Sequence, residues 1–257
     1  MSLSLGTAWN ETAALARRRW LFVFPVAFLL LSLPAAILQL LAPVTAPGHL
    51  PEPGWWLLLV PAPFATSLIG ALAISRSALT GGESVGTTLA ASLKRFFPLF
   101  GAALLIGTGA GALTLAAALL APAFPTPILW LPLLLALSVM LVFFWARLLL
   151  LTSTASVESA GPIRLIRRAW ALGGGHASTL ISVLIVVSIA SFLALLVAGA
   201  VGGIIARLGP DLPQPDALAM LLVLIVSAMM QAVIGGLFTV FLARLYAQLA
   251  VENPVGD

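Results

Sequence analysis

The chain has 257 residues, 61% of them hydrophobic and 8% charged, with a net charge of +4 and no cysteine. Soluble domains carry about 25% charged residues and need polar groups to cover their exterior, so the composition excludes a soluble globular domain. The missing thiol excludes disulfides, thiolate metal sites and a cysteine nucleophile, and the two histidines, His49 and His176, stand too far apart in sequence to suggest a zinc or haem site.

In chain order, Arg17, Arg18 and Arg19 precede an apolar run over 20–42. That run is longer than the apolar part of a signal peptide and is closed by no small-x-small cleavage site, so it reads as a retained first span. Crossing a bilayer takes about 20 apolar residues. Five further runs meet that length, at 55–79, 98–121, 128–151, 177–208 and 217–250. The second opens on the aromatic pair Trp55-Trp56. The last two exceed the required length and are expected to tilt or to continue as interfacial helix. The reading is therefore an all-α polytopic membrane bundle of six transmembrane helices with amphipathic interfacial helices, forming a single domain over 1–257.

The connections fall into two kinds. Segments 43–54, 122–127 and 209–216 are short and rich in proline, which lacks a backbone donor and ends helices, so they read as hairpin turns. Segments 80–97 and 152–176 are longer, helical in pattern and basic. Eleven of the twelve Lys and Arg residues fall on the side of the termini and the long connections, and only Arg207 falls on the other. The positive-inside rule then expects both termini in the cytoplasm of a bacterium, with the protein in its inner membrane. Tryptophans at 9, 20, 55, 56, 130, 145 and 170 mostly mark span ends or interfacial segments, as amphipathic indoles prefer.

A weak repeat is visible, with units at 1–79, 80–153 and 154–250. Each has a small-residue entry, an amphipathic stretch ending in basic residues and then a helical hairpin. The entries are Gly6-Thr7-Ala8-Trp9, Gly86-Thr87-Thr88-Leu89 and Gly161-Pro162-Ile163-Arg164.

The polar stretches carry the candidate sites. In 158–172, Ser159 suits a helix cap and Pro162 a first turn. Arg164, Arg167 and Arg168 share one face there, beside an apolar face of Ile163, Ile166 and Trp170. Such a helix lies flat on the membrane with its arginines at anionic headgroups, although topology control alone explains the same pattern. Thr80 and Glu83 fit a capping box opening a second interfacial helix, which Lys94 and Arg95 close. Arg147 lies in the apolar context 143–151, near the basic boundary of its span. Charge at that depth snorkels, pairs with a group such as Glu158 or a helix end, or meets a headgroup. Arg76 and Arg244 stand at equivalent depth. Gly173-Gly174-Gly175-His176 lacks the Lys-Ser/Thr of a phosphate loop and reads as a helix end. Gly107/Gly111 and Gly199/Gly203 suit close helix packing, and Ser188, Ser191, Ser227 and Gln231 suit interhelical hydrogen bonding.

Ala146-Arg147-Leu148, the run 155–162 containing Glu158 and Gly161, and the run 167–175 ending in Gly173-Gly174-Gly175 together resemble the membrane-domain family associated with glycerophosphoryl diester phosphodiesterases. They are also similar to the related YciC-like bacterial membrane proteins. In that family an Arg near a span end precedes Glu-x-x-Gly, a basic amphipathic helix and a Gly-terminated turn. The resemblance implies a helical membrane domain. Two departures stand out: the serine common near Ala169 is missing, and this sequence carries no phosphodiesterase domain. The enzymatic name therefore does not transfer.

No acid lies at the centre of a span, and no Gly-x-Ser-x-Gly, His-Glu-x-x-His or P-loop pattern is present. The expected function is non-catalytic, a scaffolding or auxiliary role in envelope or lipid processes. Anionic membrane lipid is the expected partner, with a protein partner or a second copy also admitted; no nucleic acid, cofactor or metal is expected. The headgroup or partner candidates are Arg76, Lys94, Arg95, Arg147, Glu158, Arg164, Arg167 and Arg168, and no catalytic residue is named. Two alternatives stay open. A lipid or small-amphiphile transporter calls for a cleft open to lipid with a basic mouth. A membrane-embedded phospholipid enzyme calls for Glu83, Glu158 and His176 to converge on a metal.

Overall fold

The computed structural model describes residues 4–42, 54–120, 127–208 and 215–252. All regular structure among them is helical. Six helical stretches are long and apolar enough to cross a membrane, so the chain is a multi-pass membrane protein built as a helical bundle.

Helix α1 (Leu5–Val26) opens on Ser4, whose side chain accepts from the Thr7 amide at 3.3 Å. It carries the amphipathic stretch and the start of the first span in one element. The backbone leaves helical geometry at Arg19 (φ −122°, ψ 21°), so the junction of interfacial and spanning parts is a kink. A π-helical turn, Ala27–Ser32, leads into α2 (Leu33–Leu41). Pro25 and Pro34 flank that turn, and each removes a helical N–H donor, which the wider turn accommodates.

The second span begins with a 3-10 turn, Trp55–Leu59, and continues as α3 (Pro61–Thr80). It stops at Gly81, whose φ of 72° is left-handed and suits only glycine without strain. The expected capping box does not form. Ser84, not Thr80, caps α4 by accepting from the Thr87 amide at 3.3 Å, and Glu83 turns to Arg76 instead. Helix α4 (Val85–Leu120) joins the second amphipathic stretch to the third span without a break, running through Pro98. Helices α5 (Pro127–Leu148) and α6 (Leu151–Val157) form the fourth. Gly161, rather than Ser159, is the N-cap of α7 (Pro162–Gly173), with Pro162 in its first turn. Helices α8 (Ala177–Leu208) and α9 (Pro215–Glu252) complete the chain and pack along one another. Of the expected turns at 43–54, 122–127 and 209–216, residues 43–53, 122–126 and 209–214 lie outside the described residues, while Pro127 already belongs to α5 and Pro215 and Asp216 to α9.

Helix α9 is the central post, with α1, α3, α8 and the π-helical turn around it. Helix α6 packs on α3 and α4, and α7 bridges α4 to α5. The fully buried leucines fall mainly on the parts of α3 to α9 nearest the basic residues: Leu72, Leu99, Leu150, Leu165, Leu172, Leu180, Leu245 and Leu249. Towards the other end, Leu115, Leu119, Leu135 and Val186 are more than half exposed. In a bilayer this costs nothing, because lipid chains are as apolar as leucine, and helix association depends on packing and polar contacts instead.

Two expectations about packing change. Gly107, Gly111 and Gly199 have no neighbour within 4 Å of the position a Cβ would take, and the side of Gly203 is not described. These glycines mark open faces rather than close approaches. The close approaches are at Gly70, where a Cβ would meet Leu30 Cβ at 2.8 Å, and at Gly173, where it would meet the Arg147 carbonyl oxygen at 2.9 Å. Nor do the named polar centres bond helices together. Ser227 Oγ donates to its own Leu224 carbonyl at 2.9 Å, and Gln231 is exposed beside Ser32 and Gln39 in a cavity of about 440 Å³.

Candidate functional site at the basic end

Helix termini leave carbonyls without intrahelical partners, and a guanidinium supplies five donors in a planar fork. The basic end of this bundle is built on that match. Arg76 of α3 holds Glu83 with two charge-assisted bonds, Nε to Oε2 at 2.7 Å and Nη2 to Oε1 at 2.6 Å, and its Nη1 donates to the Ser156 carbonyl at 3.3 Å. Arg95 of α4 donates to the adjacent Ala155 carbonyl at 3.2 Å. Two arginines from different helices therefore meet the C-terminal turn of α6, where the helix dipole favours positive charge. Arg19 does the same for α3, donating to the Ser77 carbonyl at 3.1 Å and to its hydroxyl at 3.0 Å.

Glu158 does not pair with Arg147. Its Oε1 accepts from Tyr246 of α9 at 2.7 Å and from Arg168 Nε of α7 at 3.2 Å. Arg244 Nε stands 4.0 Å from Glu11. Glu83 and Glu158 are thus committed to separate basic partners, and among the described residues no three His, Asp or Glu side chains gather where a metal could sit.

Arg147 differs from its counterparts. Its guanidinium lies over the rings of Phe143 (4.8 Å) and Trp170 (4.7 Å), and Nη2 donates to the Gly174 carbonyl at 3.3 Å. No carboxylate is within ion-pair reach among the described residues, and its buried Nε has no hydrogen-bond partner.

The structure thus sorts the sequence candidates. Each dibasic pair divides: Arg19, Arg95 and Arg168 are partly buried and bond inward, whereas Arg18, Lys94 and Arg167 are exposed. Arg17 and Arg164 are exposed too. Apolar side chains flank these outward charges, with Trp9, Trp20, Leu93, Phe97 and Ile163 all more than a third exposed. Sequence reasoning missed Tyr246 and Ser77 altogether. The one signal for Tyr246 was its being the sole tyrosine, placed within a turn of Arg244.

The Arg76 hydrogen bonds hold the Glu83 carboxyl below the usual carboxylate range. A carboxylate with a depressed folded pKa stabilises the fold above its unfolded value of about 4.3 and loses that contribution as pH falls through the folded value. Thermal unfolding in detergent is expected to show wild type melting above Glu83→Gln at neutral pH, with the gap closing under strongly acidic conditions. A gap that does not change with pH contradicts this role for the ion pair.

A family model described as a domain of unknown function (DUF7847) matches residues 3–249. No curated protein and no solved structure matches the chain.

Proposed function

We propose that this chain, which belongs to the DUF7847 family of domains of unknown function, is a non-catalytic scaffold of the bacterial inner membrane that organises anionic lipid at its basic end. One observation carries the reading. Arg18, Lys94 and Arg167 are left outward by the division of the dibasic pairs, with Arg17 and Arg164 beside them. Inward arginines consume helix-end carbonyls and carboxylates; among the described residues the outward ones show no such use. Basic residues at an anionic surface contribute about 1 kcal/mol each, and the exposed indoles and phenylalanines beside them suit the headgroup boundary. The same distribution supports a cytoplasmic basic end and cytoplasmic termini. The resemblance of residues 146–175 to the phosphodiesterase-associated membrane domains and to the YciC-like proteins agrees with a helical membrane domain.

The test is lipid selectivity of the reconstituted full chain, read from spin-labelled phosphatidylglycerol and phosphatidylcholine. The expected result is a several-fold preference for phosphatidylglycerol that weakens with salt. It is lost when Arg17, Arg18, Lys94, Arg164 and Arg167 are all replaced by Gln. Equal retention of both lipids sinks the proposal. Reporter fusions at positions 49, 124 and 212 test orientation, and a cytoplasmic signal at any of them reverses it.

A second reading, a lipid or small-amphiphile carrier, is favoured by one feature: a groove between α4 and α5 open to the membrane.

A further inference from the structure

The two helices of the second hairpin, α4 and α5, barely touch among the described residues. Helix α7 connects them at the basic end, packing on both like a lintel. Beneath it lies a lateral groove of about 590 Å³, within the size range of small-molecule sites. Its walls are apolar: Ile106, Gly109 and Ala110 from α4, Met140 and Phe143 from α5, and Trp170 from α7. Gly109 has open space where a Cβ would stand, so the α4 wall is left clear at that point. By helical rise the groove runs about 12 Å along α4 from Leu105 to Leu113, the length of a substantial part of an acyl chain.

Phe143 and Trp170 belong to two structures at once. They line the upper groove, and their rings, set edge to face at 85°, form a corner that holds the Arg147 guanidinium. The guanidinium therefore stands beside the basic end of the groove, in contact with two of its wall residues though not itself part of the wall. Of the span-end arginines, Arg76 has Glu83 and Arg244 has Glu11 at 4.0 Å, whereas Arg147 has one carbonyl, two aromatic faces and no carboxylate among the described residues; its buried Nε, like that of Arg244, has no hydrogen-bond partner. A part-buried cation with no counter-ion among the described residues carries a desolvation cost that ring quadrupoles offset only in part. An anion at this point restores the balance, and a guanidinium suits phosphate oxygens in particular.

We propose that the α4–α5 groove holds one anionic phospholipid of the adjacent leaflet, with an acyl chain along Gly109 and Ala110 and its phosphate at Arg147. The site deepens the scaffold reading, on which it rests for the leaflet and the lipid charge. It is a discrete, stoichiometric site and not part of the diffuse basic surface.

Native mass spectrometry of the full chain in mild detergent tests it, after exchange into dioleoyl phosphatidylglycerol or dioleoyl phosphatidylcholine. Wild type is expected to keep one phosphatidylglycerol per chain, several-fold over phosphatidylcholine. Glycerophosphoglycerol, the same headgroup without chains, is expected not to compete. Arg147→Gln and Gly109→Leu are both expected to lose the retained lipid. Gly109→Leu fills the groove without altering Arg147, so it stands as the informative variant if Arg147→Gln folds poorly. The five-residue Gln variant of the outward basic residues is expected to keep the bound lipid while losing bulk selectivity, which separates this site from the scaffold reading. Retention by Gly109→Leu at the wild-type level, equal retention of both lipids, or a lipid-free dimer that Gly109→Leu converts to monomer each overturns the proposal.

Discussion

Replacing Gly173 with valine is expected to destabilise the protein by about 2–3 kcal/mol, in the range found for overpacked interiors. A Cβ at this position stands 2.9 Å from the Arg147 carbonyl oxygen and 3.1 Å from its Cα, and both are backbone atoms that no rotamer change can move. The last turn of α7 must then shift away from α5. That shift pulls the Gly174 carbonyl from Arg147 Nη2 and Trp170 from the guanidinium it covers. Two glycines serve as controls. Gly175 and Gly107 have no atom within 4 Å of a Cβ. Gly175→Ala is expected to change stability by less than about 0.5 kcal/mol. Gly107→Ala, inside α4, is expected to be neutral or to stabilise by up to about 1 kcal/mol through helix propensity. Thermal unfolding in detergent ranks the set. If 173, 107 and 175 respond alike, the close approach of α7 to α5 is wrong.

That contrast shows where the sequence was informative. Spans were legible because a bilayer demands long apolar helices and this chain supplies them in blocks. The run 177–208 matched α8 to the residue, and 217–250 fell short of α9 by two residues at each end. Small-x-x-x-small spacing was a poor guide, because a glycine on a helix face is equally consistent with a neighbour and with empty space. Gly107, inside α4, has nothing folded back onto it, whereas Gly173, at the end of α7, meets the Arg147 backbone. Caps failed for a related reason. Thr80 and Glu83 had the right spacing, but Gly81 turned the chain into left-handed geometry and Arg76 offered Glu83 a charged partner, better than a backbone amide. Among the site residues, the chemistry of the arginines was readable and their division was not. Adjacent residues on a helix point about 100° apart, so a dibasic pair can send one member inward, although adjacent Arg17 and Arg18 both stay outward. Which one it was depended on helix ends such as Ala155 and Ser77, brought close by packing across 60 and 58 residues of sequence.

Glu158→Ala is expected to cost about 2–3 kcal/mol, for a reason that also sets its effect apart from that of Arg147. One carboxylate oxygen receives the Tyr246 hydroxyl at 2.7 Å and Arg168 Nε at 3.2 Å, so its removal withdraws an acceptor from α9 and from α7 together. The Arg168 and Glu158 side chains keep 18% and 21% of their exposure, which places the cost below that of a fully buried pair. Tyr246→Phe removes a single bond and is expected to cost about 1 kcal/mol. The double variant is expected to fall short of additivity by about 1 kcal/mol, because the hydroxyl has no carboxylate left to lose; full additivity means that the two do not interact. Hydrogen exchange gives a second reading, since Glu158→Ala should loosen the end of α9 around Leu245 and Leu249 as well as α7, whereas Arg147→Gln should leave α9 as it was. Helix α7 roofs the α4–α5 groove while Glu158 ties it to the central post. Loss of bound lipid in Glu158→Ala must therefore come with faster exchange in α9, and loss in Gly109→Leu must not.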